Sequence, residues 1–211
     1  MHNLLVLNIK LEGKDKLDPS LSKSKKKFIG ILGGTFDPPH EGHRLISNHA
    51  LLKLNLQEVW WIVTSKNPLK ENSTRYKRRL TLAKKFNKSR RIKVVEIDEN
   101  KNFFAIDTIF YLKKKFKTNN FVWIMGADNT VNLHLWKKWK DFFYNIPIAI
   151  FDRPSYSLNI TNSKALFFFR KARIKNNYKT NLKLMTPPKW IFISGLKNHQ
   201  SSSFIRKVNE N

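Results

Sequence analysis

Two histidines three positions apart, His40 and His43, close the run Gly33-Gly34-Thr35-Phe36-Asp37-Pro38-Pro39, which itself follows the apolar stretch Phe28-Ile29-Gly30-Ile31-Leu32. Glycine lets a backbone turn sharply and lets a ligand approach where a side chain would clash, so Gly33 and Gly34 are expected to form a tight binding turn. Each residue before a proline is pushed out of the helical region, so Asp37-Pro38-Pro39 reads as an extended, rigid turn with a helix starting near Glu41. Free backbone N–H groups and the positive end of that helix dipole then face the end of the preceding strand, an arrangement that favours a phosphate. At a spacing of three, both imidazoles project from one side of the first helical turn. Two imidazoles beside an anion hole suit the stabilisation of charge on a phosphoryl group in transfer. A Gly-Gly pair alone is commonly only a turn; the whole spaced set is what points to chemistry.

Such a loop needs a strand before it and a helix after it, and the rest of the chain supplies a matching alternation. Short apolar, β-rich runs fall at 28–32, 58–63, 92–97, 121–125, 146–151 and 190–193, and helical patterns separate them at about 42–54, 74–86, 105–116 and 163–174. Buried runs interleaved with crossover helices predict an α/β fold, a parallel sheet with helices on both faces. Ligands in such folds sit at the carboxyl ends of the strands, near the point where strand order reverses. The His40–His43 segment lies at the carboxyl end of the first strand.

Composition bounds the rest. At 211 residues the chain is long enough for one sizeable core, and no repeat or Gly/Ser-rich linker suggests a second. Residues 1–26 mix charge, Ser and Pro with few apolar positions and read as a flexible basic N-terminal extension, leaving 27–211 as the folded domain. The formal charge of +26 attracts polyanions. Lys, Asn, Ile and Phe are all heavily used, however, so two sources of the lysine stand side by side, an A/T-rich coding bias and a dedicated polyanion surface. The lysines are spread along the chain rather than clustered as in a nucleic-acid reader, and no specific nucleic acid is expected. With no cysteine, disulfides, Cys-ligated zinc and a thiol nucleophile are excluded. No apolar run approaches the roughly 20 residues that span a bilayer, and the N-terminal Leu-Leu-Val-Leu-Asn-Ile lacks the flanks of a signal peptide. A cytoplasmic protein without a membrane partner is expected.

The segment 33–43 resembles the signature of the HxGH nucleotidyltransferase superfamily, whose members join a nucleotide to a phosphate or carboxylate through attack of that acceptor on the α-phosphate of a nucleoside triphosphate. Residues 201–207, Ser-Ser-Ser-Phe-Ile-Arg-Lys, resemble that superfamily's C-terminal Ser-Ser-Thr-x-Ile-Arg motif, with Ser203 in the Thr position. Within the superfamily the double glycine with Thr-Phe-Asp-Pro-Pro-His is similar to nicotinate-nucleotide adenylyltransferases, which make nicotinate adenine dinucleotide from ATP and nicotinate mononucleotide. Residues 60–70, 103–109, 124–136 and 151–156 resemble further segments of that family, so the likeness runs from Lys27 to Lys207.

The resemblance implies a Rossmann-like nucleotidyltransferase fold and assigns roles. His40, His43 and Arg206 would be catalytic. ATP would lie against Gly33, Gly34, Thr35, Phe36, His40 and His43, with Gly126 and Asp128 at the adenosine half. Ser202, Ser203 and the Arg206 fork would hold the leaving pyrophosphate. Trp136 would stack on the pyridine ring, Thr108 would lie near its carboxylate, and Asn67 and Lys70 belong to the substrate loop of the nicotinate nucleotide. Mg²⁺ would be held mainly by the ATP phosphates, with no dedicated metal cage. A homo-oligomer is allowed for. Phe104 and Ala105 depart from the family's Tyr and Thr, and Gln200 replaces an apolar residue. Two other readings stand beside this one: another transferase of the superfamily, such as a pantetheine-phosphate adenylyltransferase or a cytidylyltransferase, and a basic nucleic-acid-binding protein, which would leave both histidines and the Ser/Arg motif unexplained.

Overall fold

The computed structural model describes residues 27–64, 75–96, 104–152, 162–175 and 185–195. Seven strands form one sheet among these residues: β1 (Phe28–Gly34), β2 (Glu58–Val63), β3 (Ile92–Val95), β4 (Asn120–Gly126), β5 (Ile148–Phe151), β6 (Arg173–Ile174) and β7 (Trp190–Ile193). Their order is β3-β2-β1-β4-β5-β7-β6, and every pairing is parallel. The chain runs outward from β1 through β2 to β3, then crosses back to lay β4 on the other side of β1. Strand order therefore reverses between β1 and β4.

Alternate residues of each strand serve opposite faces. Trp60 and Trp61, neighbours in β2 and both buried, show it directly. On one face Ile29, Ile31, Trp60, Trp123, Met125 and Ile150 pack against α3 (Ala105–Lys115) and α4 (Trp139–Asn145). On the other, Leu32, Val59, Trp61, Val122 and Ile124 pack against α1 (Glu41–Lys53) and α2 (Tyr76–Phe86). A sheet covered on both faces explains why its strands read as continuous apolar runs.

Two boundaries and one element differ from the sequence reading. The pattern at 163–174 is not one helix: α5 (Lys164–Phe168) is followed by a 3-10 turn at Arg170–Ala172 and then by β6. Trp190 Nε1 donates to Phe169 O at 2.8 Å, closing the end of α5, and Arg173 and Ile174 gain a ladder with β7 instead of a helical turn. The run at 146–151 starts as a strand only at Ile148, because Ile146 caps α4 through its N–H to Phe142 O at 3.2 Å. The helix α4 itself has no counterpart in the sequence reading.

Candidate functional site

The carboxyl ends of β1 and β4 meet at the reversal point. Leu32 pairs with Ile124, and two residues beyond that pair the strands end on Gly34 and Gly126. Gly33 and Gly34 still belong to β1, so they do not make the turn expected of them. A Cβ on Gly33 would stand 2.7 Å from the Trp123 ring, so this glycine is required by packing. The turn is made by Phe36, whose φ of 50° is left-handed, and by the bend at Asp37-Pro38, joined by a cis peptide bond. The left-handed φ costs a bulky residue such as Phe36 roughly 1–3 kcal/mol and persists only where packing holds it. Here the fully buried Phe36 ring is stacked on Trp61 at 5.0 Å and lies 4.5 Å from the His43 ring.

The helix then begins at Glu41, as expected, with His40 as its cap. Gly42 N–H donates to His40 Nδ1 at 3.1 Å, and His40 N–H donates to His43 Nδ1 at 3.2 Å. Two imidazoles thus satisfy N–H groups that a helix start otherwise leaves without partners. This has a chemical consequence. An Nδ1 that accepts must keep its lone pair, which places the proton of each neutral ring on Nε2. Both rings, 3.8 Å apart, therefore present Nε2–H as donor. The helix is tied to the sheet behind them: Trp61 Nε1 donates to Ser47 Oγ at 2.7 Å, and Ser47 Oγ donates to His43 O at 2.8 Å.

Beneath the loop lies Arg79, a residue that the sequence reading missed. It comes from α2 and is 1% exposed, and its Nη1 donates to Thr35 O at 2.7 Å and to Thr64 O at 2.9 Å. One guanidinium thus joins the ends of β1 and β2, while Thr64 N–H donates to Gly34 O at 2.9 Å. Burial pulls the Arg79 pKa below its ordinary value, and the buried Asp37 carboxylate pushes it back up. A signal existed. Tyr76, Arg79, Leu80 and Ala83 are the buried positions of α2, so the arginine sits at i+3 of an apolar i, i+3, i+4, i+7 stripe.

Of the residues that the resemblance assigns to the pyridine nucleotide, Trp136 and Thr108 are among the described ones. Trp136 meets the Trp123 ring edge-on at 6.2 Å and that of Phe142 at 5.4 Å. Since Trp123 also occupies the space left by Gly33, a chain of contacts links the phosphate loop to Trp136. Thr108 is buried in the first turn of α3. Asp128 is half-buried in a 3-10 turn directly after β4, where its Oδ1 accepts from Asn129 Nδ2 at 3.3 Å. At the departures from the family pattern, Asp107 Oδ2 accepts the Phe104 N–H at 3.2 Å, and Lys137 Nζ lies 3.8 Å from that oxygen and 4.4 Å from the Phe104 ring centre. Asp107 and Lys137 were not singled out in the sequence; an acid in the first turn of a helix was the available sign.

Asn67, Lys70, Ser202, Ser203 and Arg206, like the 1–26 extension, lie outside the described residues. Among the described residues no three His, Asp or Glu side chains gather as metal ligands. Nor, among these residues, is any helix long and apolar enough to cross a membrane.

The cytidylyltransferase-like family profile matches residues 31–207. A protein of Brucella suis described as a probable nicotinate-nucleotide adenylyltransferase is 36% identical over 183 residues, covering 85% of this chain and 94% of the relative. A Bradyrhizobium relative of the same description is 38% identical over 181 residues, covering 84% and 94%. The chain belongs to the nicotinate-nucleotide adenylyltransferase family. Among solved structures, the fold resembles Plasmodium falciparum nicotinic acid mononucleotide adenylyltransferase complexed with NaAD, with a TM-score of 0.67 and 18% identity over 86% of this chain and 83% of that one. A second structure of that enzyme, complexed with APC, gives 0.63 at 19% identity over the same shares. At such identities the likeness speaks for the fold, and it bears out a Rossmann-like nucleotidyltransferase architecture.

Proposed function

We propose that the chain transfers the adenylyl group of ATP to nicotinate mononucleotide, giving nicotinate adenine dinucleotide and pyrophosphate, a step of NAD biosynthesis. The observation that carries this reading is the histidine cap: two imidazoles locked by backbone donors, both offering Nε2–H at a helix start at the strand-order reversal. The family adds the substrates.

A 5′-phosphate oxygen of the mononucleotide, already anionic, attacks the α-phosphorus of ATP. The new P–O bond forms in line with the bond to the β-phosphate bridging oxygen, which breaks and carries its electron pair into pyrophosphate. No protein nucleophile and no proton transfer are needed, so positioning and electrostatics supply the catalysis. The His40 and His43 donors meet charge that builds on the α-phosphate and its bridging oxygen, and being fixed in advance they cost no reorganisation. Gly34, Thr35 and the start of α1 receive the triphosphate, with Gly126 and Asp128 beside the adenosine. Ser202, Ser203 and Arg206 are assigned to the departing pyrophosphate, Asn67, Lys70, Thr108 and Trp136 to the nicotinate nucleotide. Mg²⁺ enters with ATP as part of the substrate, lowering the charge of the phosphates. A chain without cysteine fits a reducing cytoplasm.

The test is pyrophosphate release by the purified protein with ATP, Mg²⁺ and either nicotinate or nicotinamide mononucleotide. Release with the acid supports the reading. Release only with phosphopantetheine, and with neither mononucleotide, overturns the substrate and keeps the transfer.

A further inference from the structure

We propose that the aromatic and basic surface formed by α4, α5 and the 3-10 turn after α5 docks on an anionic lipid surface. The contact is separate from the transfer reaction and involves no membrane-spanning segment, although the sequence reading expected no membrane partner. Phe167 and Phe168 are 64% and 51% exposed at the end of α5, and Tyr144 near the end of α4 is 58% exposed. Single exposed apolar side chains are ordinary, but a contiguous group of them marks a contact site. These are joined: the Trp139 ring meets that of Phe168 edge-on at 5.5 Å, and Phe168 and Tyr144 both meet the Phe169 ring, at 5.0 and 5.3 Å.

The group is held by what lies beneath it. Phe169 is buried and stacked on Phe143 at 4.2 Å, and its carbonyl accepts the Trp190 Nε1–H. At the start of α5, Ser163 Oγ donates to Thr130 O at 2.6 Å and accepts the Leu166 N–H at 3.3 Å. The segment that carries the rings is thus fixed in advance, which keeps the ordering cost of docking small.

The charges choose the partner. Lys140 Nζ lies 4.7 Å from the Phe168 ring centre. The Arg170 guanidinium lies 4.5 Å from that of Phe167, where its Nη1 also donates to Phe167 O at 3.1 Å. Lys164, Lys171, Arg173 and Lys175 add positive charge along 163–175, a stretch with no acidic residue. A second copy would bring like charges together. A single-stranded nucleic acid has the right charge, but it binds by stacking its bases on free ring faces. Here Phe167 and Phe168 each have a face covered by a cation of the chain itself. A lipid headgroup layer needs no free face: apolar rings enter it while lysine and arginine meet the lipid phosphates. Tyr144 suits the same depth, with an apolar body and a polar tip.

The experiment is co-sedimentation of the full chain, at physiological salt, with vesicles of equal parts phosphatidylcholine and phosphatidylglycerol. Vesicles of phosphatidylcholine alone and a single-stranded oligothymidylate serve as comparisons. Wild type is expected to bind the anionic vesicles and not the neutral ones. Because the whole chain is strongly positive, the deciding variant keeps its charge. Phe167→Ser combined with Phe168→Ser is expected to weaken binding to the anionic vesicles about tenfold. Leu52→Ser, at a 75% exposed position of α1 across the sheet, is expected to change nothing. Should the double variant fail to fold, Lys171→Glu is compared with Lys53→Glu, the same charge change on α1, and a loss about tenfold greater is expected at Lys171. Binding by the double variant, or by Lys171→Glu, equal to that of its α1 control overturns the inference, as does a wild type that leaves the anionic vesicles unbound. Loss of oligothymidylate binding with vesicle binding retained assigns the surface to nucleic acid. A wild-type dimer that the double variant dissociates, with vesicle binding retained, assigns it to a second copy, and either result overturns the inference.

Discussion

Two helix starts face the carboxyl ends of the central strands, and they are built in different ways. At α1 the cap is made by His40 and His43, braced by the fully buried Phe36 and Trp61, with a buried arginine pinning the loop from below. At α3 the cap is the single half-exposed carboxylate of Asp107, with a lysine resting loosely on a phenyl ring. The first arrangement has one geometry; the second can rearrange at little cost. The first suits the task proposed for it, because charge on a phosphoryl group in transfer is met best by donors that do not move.

The sharpest way to break the contrast is to remove Arg79. Arg79→Met leaves the Thr35 and Thr64 carbonyls without that donor and the buried Asp37 without its counter-charge, which should cost roughly 3–5 kcal/mol in urea unfolding. If that variant does not fold, Arg79→Lys keeps the charge while losing the planar fork, and a smaller loss is expected from it. At the other helix, Asp107→Ala should cost only about 0.3–1 kcal/mol, since the carboxylate is half-exposed and acts through the first turn alone. A loss at Asp107 equal to that at Arg79 would erase the distinction between a fixed and an adaptable end.

The smallest effect concerns the other histidine within α1, His49. His49 Nδ1 is buried without a hydrogen-bond partner, and burial, with help from Lys53, holds its pKa below the ordinary 6.5. The unfolded chain then binds that proton first, so stability should fall as pH drops below about 6.5 toward the lowered folded value, and stay level above it. His49→Leu should remove that part of the acid sensitivity in pH-dependent thermal unfolding; an unchanged profile would assign it to other groups.

Much of the frame was legible because burial on both sheet faces writes itself as apolar runs: β2 (Glu58–Val63) and β7 (Trp190–Ile193) fall where those runs do. What failed depended on distant partners. Nothing in Phe169-Arg170-Lys171-Ala172-Arg173 announces that Trp190 will take the Phe169 carbonyl and that β7 will pair with Arg173 and Ile174. The histidines were legible from spacing, but their use of Nδ1 for capping was not, because it requires the turn that Phe36 makes. The two glycines were read as that turn, although Gly33 is small because Trp123 fills the space beside it. Arg79 hid among the cations of α2 and only its place on the apolar stripe distinguished it.

The histidine pair holds the central claim, and one substitution separates its two duties. In His43→Asn the amide oxygen can replace Nδ1 as acceptor for the His40 N–H, while the Nε2–H donor is lost. The measurement is the turnover number of His43→Asn with saturating ATP and nicotinate mononucleotide, alongside its thermal unfolding. The proposed mechanism predicts near-wild-type stability with turnover reduced roughly 10²–10³-fold, as for loss of one fixed donor to a charged transition state. Turnover close to wild type in a stably folded His43→Asn would contradict it.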